Sequence, residues 1–167
     1  MGPGASLGGI EWGTATDGKR IYVAIANSDL LPYTLVPSGQ QITWGAWSAL
    51  DVATGKILWQ TADPTPATID RGSVSVANGV MYAGSNSGQM YALDATTGNI
   101  LWNFASGGSV IDAPSIVDGV LFSGSGYREI RGTGNNRVYA FALAHAKDRG
   151  DGSDDQGEQS DNHGERE

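Results

Sequence analysis

The eleven residues from Ala49 to Trp59 read ALDVATGKILW, and they return 43 positions later, from Ala92 to Trp102, as ALDATTGNILW. A period of that length marks a supersecondary unit that cannot bury its apolar face alone. Such a chain folds as a stack of like units, and any activity belongs to the assembled array. The middle copy is the most complete. Gly72 to Ala77 alternates small or polar with apolar residues, Asn78-Gly79 signals a tight hairpin, and Val80 to Ser85 reads as the return strand. Asn86-Ser87-Gly88 turns the chain again, Gln89 to Asp94 forms a third strand, Thr97-Gly98 a third turn, and Asn99 to Phe104 a fourth strand. Four antiparallel strands in a meander are the unit of a propeller blade. The expected fold is therefore all-β, with about three such blades near residues 10–61, 71–105 and 112–143. Asp17-Gly18 and Asp118-Gly119 open the flanking copies, with glycine where a turn needs positive φ.

The departures from the period point to a functional face. Tyr22 to Ser48 spans 26 residues where the equivalent Tyr82 to Tyr91 spans nine, so the first copy carries 17 extra residues between its second and third strands. Phe122 to Tyr139 spans 17, eight more than the middle copy. Both insertions fall in the same loop of the blade, on the face that also carries the links from 62 to 71 and from 107 to 112. Elaborated loops on one face of a regular scaffold are where a site is expected. The third copy also lacks the Asp, Thr-Gly and Trp of the motif after Arg137 to Leu143. An arc of blades with an unpaired last strand exposes apolar faces, which predicts association with missing blades or with itself.

Charge divides the chain. Of a net −8, residues 144–167 carry −5, with eight acids against Lys147, Arg149 and Arg166. Their Gly, Ser, Asn and Gln content and lack of apolar residues predict a disordered acidic tail, and residues 1–9 read as a flexible start. The tail holds the tripeptide Arg149-Gly150-Asp151 and both histidines, His145 and His163, so a Ser/His hydrolase is disfavoured. Acidity without a basic stripe disfavours nucleic acid. There is no cysteine, which excludes disulfides, thiolate metal sites and thioether-attached haem within this sequence. No apolar stretch approaches the roughly 18 residues that span a bilayer, and the first residues show no basic or apolar leader pattern.

The string Ala-x-Asp-x-x-Thr-Gly-x-x-x-Trp resembles the docking motif of quinoprotein alcohol dehydrogenases, which are eight-bladed propellers holding pyrroloquinoline quinone, usually with calcium, and often periplasmic or secreted. The segments Ala77 to Ser85, Gly108-Ser109-Val110, Val117 to Tyr127 and Asn135 to Leu143 look like the C-terminal end of polyvinyl-alcohol-dehydrogenase-like members. The resemblance covers about residues 10 to 143. It implies a C-terminal arc of a quinone-dependent, alcohol-oxidising propeller that is not catalytic alone. Relatives without enzymatic activity carry the same motif, so a propeller module that binds protein or ligand stands as the alternative.

In that resemblance the motif is scaffold. Trp59 and Trp102 would wedge between blades, while Ala49, Asp51, Thr54 and Gly55, and their counterparts Ala92, Asp94, Thr97 and Gly98, fix the corner between third and fourth strands. A planar anionic quinone needs an aromatic ceiling, cationic or amide groups for its carboxylates, and oxygen ligands for a hard cation. On the loop face the sequence offers Trp44, Trp47, Arg71, Asp112 and Arg128 as cofactor contacts, with Asn86 and Tyr127 beside them. The two arginines suit bidentate carboxylate recognition. Asp70 and Asp112 are the acids next to the blade junctions. No residue is assigned as catalytic, and none as a metal ligand.

Overall fold

The computed structural model describes residue 6 and residues 8–143. The acidic tail lies outside the described residues, as does most of the N-terminal start. Thirteen strands and no helix make up the described chain. The first blade is β1 (Ala15–Thr16), β2 (Arg20–Ile25), β5 (Ala46–Asp51) and β6 (Ile57–Ala62), paired in that order. The second is β7 (Val74–Ala77), β8 (Val80–Gly84), β9 (Gln89–Asp94) and β10 (Ile100–Ala105). The third has three strands, β11 (Ser115–Val117), β12 (Val120–Ser125) and β13 (Arg137–Ala142). All pairings are antiparallel, and Tyr22↔Ala49, Tyr82↔Ala92 and Phe122↔Ala140 occupy the same register position in the three blades.

Turn chemistry sets these registers. Asn78 and Gly79 both take positive φ, 50° and 77°, as do Asp118 and Gly119, at 48° and 76°. That is the two-residue hairpin geometry that matches strand twist. In the first blade the turn is longer, and the Asp17 carboxylate accepts the N–H groups of Lys19 and Arg20 at 2.8 and 2.7 Å. The motif corner is a side-chain cap. Asp94 Oδ1 accepts from the N–H of Thr96, the N–H of Thr97 and the Thr97 hydroxyl at 2.9, 2.7 and 2.9 Å, and Asp51 is bound likewise by Thr54. Gly55 and Gly98 then reverse the chain at φ of 68° and 75°.

Between blades 1 and 2 the motif tryptophan completes the joint. Trp59 is 4 % exposed and donates its indole N–H to Ala95 O at 3.2 Å, while the Thr61 hydroxyl donates to Gly98 O at 2.7 Å. Trp59 thus lies over the Thr97-Gly98 corner of the next blade, in a core shared with Tyr22, Trp47, Met81, Tyr91 and Leu93. Trp102 departs from the wedge expected of it and is 38 % exposed. Its counterpart corner is missing from the third blade, where Ala142 and Leu143 stand in the positions of Asp94 and Ala95. The indole lies instead beside Phe104 and Phe141, in an open apolar groove of about 540 Å³ that also takes in Tyr82, Leu121 and Leu143.

The 17-residue insertion folds differently from a plain loop. It forms the hairpin β3 (Tyr33–Thr34) and β4 (Gln41–Ile42), and it lays Tyr33, Leu35 and Ile42 on Val23, Ile25 and Ala46. These residues alternate with Tyr22, Ala24 and Trp47 along their strands, so the hairpin covers the face of blade 1 turned away from blade 2. It also reaches the outer edge, where the Gln60 N–H donates to Val36 O at 2.6 Å.

Candidate functional site

The links between blades and the second insertion converge on one end of the arc. Ser109, in the link from β10 to β11, joins them. Its N–H donates to Thr133 O at 2.8 Å, its hydroxyl donates to Asn86 O at 2.6 Å and accepts the Thr133 N–H at 2.9 Å, and its carbonyl accepts the Gly126 N–H at 2.9 Å. A single serine thereby fixes the insertion at 126–136 against the turn at 85–88.

Arg71 enters this assembly from the link between β6 and β7. It is 1 % exposed, and its Nη2 donates to Glu129 O at 3.1 Å and Ile130 O at 3.4 Å. Its guanidinium carbon stands 5.0 Å from the centre of the Tyr127 ring, a cation–π distance, and Trp12 meets that ring edge-on at 6.3 Å. Asn86 Nδ2 donates to the same Ile130 O at 3.4 Å. Nε of Arg71, Oδ1 of Asn86 and Oε1 of Glu11 are buried without partners. Burial pushes the Glu11 carboxyl up against the opposing pull of Arg71. A buried guanidinium with an unused donor beside two aromatic rings can receive a planar anion, and the free Asn86 oxygen is left to accept from a donor on that group.

The other sequence-derived candidates lie elsewhere. Trp44 is half-buried, donates to Asp63 O at 2.9 Å and lines a cavity of about 370 Å³ with Leu35, Gln60 and Pro64, against the insertion hairpin. Trp47 is wholly buried between blades 1 and 2, 4.9 Å from Tyr91, with no face toward the loop end. Both Asp112 oxygens are used within blade 3, accepting the Ser123 hydroxyl at 3.0 Å and the Gly124 N–H at 2.7 Å. Burial raises the Asp112 carboxyl and those bonds oppose the rise. Arg128 is exposed beside Gly134. The structure thus gathers Arg71, Asn86 and Tyr127, and leaves Trp44, Trp47, Asp112 and Arg128 apart from them. Glu11 and Trp12 were missed because they precede the first recognisable turn and have no repeat partner to align with.

The donor set fits the quinone better than its metal. Arg71 would meet a carboxylate, the Asn86 amide oxygen would accept from a donor on the ligand, and the Trp12–Tyr127 pair would supply the aromatic wall. Asp112 offers no free oxygen, and among the described residues no group of three histidine, cysteine or acidic side chains is placed to hold a metal ion.

Sheets of four antiparallel strands stacked through a tryptophan on a Thr-Gly corner define the chain as a propeller of the quinoprotein type. The family model described as "Outer membrane protein assembly factor BamB", built on pyrroloquinoline-quinone-type repeats, matches residues 45–149, and the chain belongs to that family. The polyvinylalcohol dehydrogenase of Sphingopyxis sp. (strain 113P3) is 30 % identical over 175 aligned positions, covering 84 % of this chain and 26 % of the relative. The chain thus spans about a quarter of that protein's length. Among solved structures, the quinohemoprotein alcohol dehydrogenase from Comamonas testosteroni superposes with a TM-score of 0.58 at 20 % identity, over 82 % of this chain and 27 % of that one. A europium-containing methanol dehydrogenase gives 0.55 at 24 % identity, over 78 % and 22 %. These two likenesses establish the fold.

Proposed function

We propose that this chain forms part of a quinone-dependent, alcohol-oxidising propeller and supplies one wall of the cofactor pocket at Arg71, Asn86 and Tyr127. The observation that carries this reading is the buried Arg71 guanidinium, whose Nε has no partner although the side chain is almost inaccessible. Glu11 faces it without closing an ion pair, and a buried guanidinium with an unused donor costs stability unless a ligand completes it. The similarity to a polyvinylalcohol dehydrogenase over most of the chain supports an anionic quinone as that ligand. The quinone, when bound, would accept the electrons of alcohol oxidation. Arg71 would hold its carboxylate, and Trp12 with Tyr127 would shield one face from water. The chain spans about a quarter of that dehydrogenase and would supply only part of the pocket, so the chain alone is expected to show no turnover.

Titration of the 167-residue chain with pyrroloquinoline quinone, with and without calcium, tests this. Saturable quenching of tryptophan fluorescence is expected, weakened at least tenfold in Arg71→Met and unchanged in Arg128→Met. Equal affinity for the wild type and Arg71→Met refutes the assignment.

A second reading, a binding module without redox chemistry, is favoured by the open groove at Trp102, Phe141 and Leu143. Further blades or a second copy would cover it and the edge of β13 that no described strand pairs. Light scattering decides: a concentration-independent monomer whose Trp102 remains exposed to quencher speaks against association.

A further inference from the structure

A pair of carboxylates lies buried on the other side of the Asp70–Arg71 link, where no cation meets it. Asp70 is 0 % exposed and Asp63 is 1 % exposed. Asp63 Oδ1 accepts the Thr65 N–H at 2.6 Å, but Asp63 Oδ2 and both oxygens of Asp70 have no donor. The Asp63 charge acts on Asp70 and raises it further, so the two carboxyls face one another, with the Ser85 hydroxyl beside them bound to Ser87 at 2.7 Å and to no carboxylate. The backbone holds them there. Asp63 N–H donates to Gly45 O at 3.1 Å and Gly45 N–H to Thr68 O at 2.9 Å, so the two loops are stitched together. Gly45 is required by the close approach, because a Cβ on it would fall 2.4 Å from Asp70 Oδ2. The Asp70 carboxyl packs directly against the bare Gly45 backbone. Arg71, its neighbour in sequence, points the other way, to Glu129 and Ile130.

We infer that Asp63, Asp70 and Ser85 form a buried site for one divalent, oxygen-preferring cation. Two carboxylates forced together in a core must share a proton or a metal ion. A shared proton would serve two of the three unpartnered oxygens and leave the third buried and unpaired. One cation serves all three and can take the Ser85 oxygen as a fourth ligand, and its double charge matches the pair. The donors are oxygen throughout, with neither nitrogen nor sulfur, which selects hard ions of the calcium type over zinc or copper. Backbone carbonyls and water would complete such a shell, as oxygen-coordinated sites allow. The inference stands apart from the quinone assignment, which uses the opposite face of the link.

The test uses the purified chain, freed of metal, with calcium and terbium as probes. Calcium at about a hundred times its Kd is expected to raise Tm by on the order of 5–10 °C. Terbium is expected to emit when tryptophan is excited, because Trp44 and the Trp47–Tyr91 pair lie close by. Both responses should vanish in Asp70→Asn and persist in Asp118→Asn, an exposed turn control. Metal-free Asp70→Asn should melt no lower than the metal-free wild type, since a neutral amide replaces a carboxyl that burial beside Asp63 forces to hold a proton. If that variant does not fold, Asp63→Asn carries the same comparison. A wild type with neither response overturns the inference, and so do responses that survive in both aspartate variants. A loss of stability with rising pH that persists in saturating calcium and that Asp70→Asn abolishes overturns the inference and assigns the pair to a shared proton.

Discussion

Replacing Trp59 and Trp102 by alanine, one at a time, measures what the motif corner contributes. The two residues stand at equivalent places in the repeat, yet one is 4 % and the other 38 % exposed. An indole burying roughly 200 Å² at about 25 cal/mol per Å² is stabilised by at most about 5 kcal/mol. Aromatic-to-alanine changes in cores cost about 3–5 kcal/mol. Trp59 also donates to Ala95 O at 3.2 Å, a bond contributing about 1 kcal/mol. Trp59→Ala is therefore expected to cost about 4–5 kcal/mol and lower Tm by roughly 8–20 °C. Trp102 lies in an open groove, so its removal encloses no cavity. Its cost should be about 2 kcal/mol, from the part of the ring that Phe104 and Phe141 cover. Urea titration followed by far-ultraviolet circular dichroism keeps the readout independent of tryptophan fluorescence, and an unchanged m-value shows that the unfolded state is unaltered. Equal costs for the two variants would refute the claim that the Thr-Gly corner of the following blade is what makes the tryptophan a structural joint.

Further outcomes follow from the same geometry. Gly55→Ala meets open space and bears only the strain of φ at 68°, about 1 kcal/mol, whereas an added Cβ at Gly98 falls 2.5 Å from the Trp59 ring, so Gly98→Ala should cost at least twice as much in the same urea assay. The Thr97 N–H and hydroxyl hold the Asp94 carboxyl below the usual range, so its contribution is present above about pH 4 and lost as pH falls through the lowered value. Asp94→Asn should flatten the acid limb of a stability profile. Burial, reinforced by Asp63, pushes Asp70 well above the usual range. Without a cation the folded chain therefore keeps a proton that the unfolded chain releases near pH 4, and stability falls as pH rises from there. A metal-free profile with no such slope would show that Asp70 is not buried as described.

The scaffold was legible because its signals are local. Asn78-Gly79 and Asp118-Gly119 specify tight hairpins by backbone conformation alone, and strand alternation follows from period. The ends of β8, β9 and β13 consequently fall within a residue of where the pattern puts them. The insertion at 27–44 was legible as an insertion but not as a cover for blade 1, since Tyr33, Leu35 and Ile42 find their partners only when β2 and β5 are in place. The sequence offers Trp47 on the loop face with Trp44. Its alternation with Ser48 turns it instead to the side of the sheet that meets blade 2. Arg71 was legible as a junction residue; its companions Glu11 and Trp12 were not, because the contact spans some sixty residues and no repeat reports it.

The Asp70–Arg71 dipeptide shows how a blade junction can carry chemistry at all. Successive side chains of an extended segment point to opposite sides, and here one side meets Gly45 and Asp63 while the other meets Tyr127 and the 129–130 carbonyls. An acid and a base that would neutralise each other on a flexible loop are thereby held apart, each wholly buried and neither in an ion pair among the described residues. A buried guanidinium outside an ion pair and a buried carboxyl forced to keep its proton each cost the fold stability. Ligands of opposite sign, a cation on the aspartate side and an anion on the arginine side, offset both at once. The two occupancies should then stabilise the fold additively if the link is rigid, and cooperatively if binding on one side orders the other. Thermal shifts with calcium, with quinone and with both distinguish these cases. Shifts below the sum would mean that the two ligands compete for one site, contrary to the opposed orientation of the two side chains.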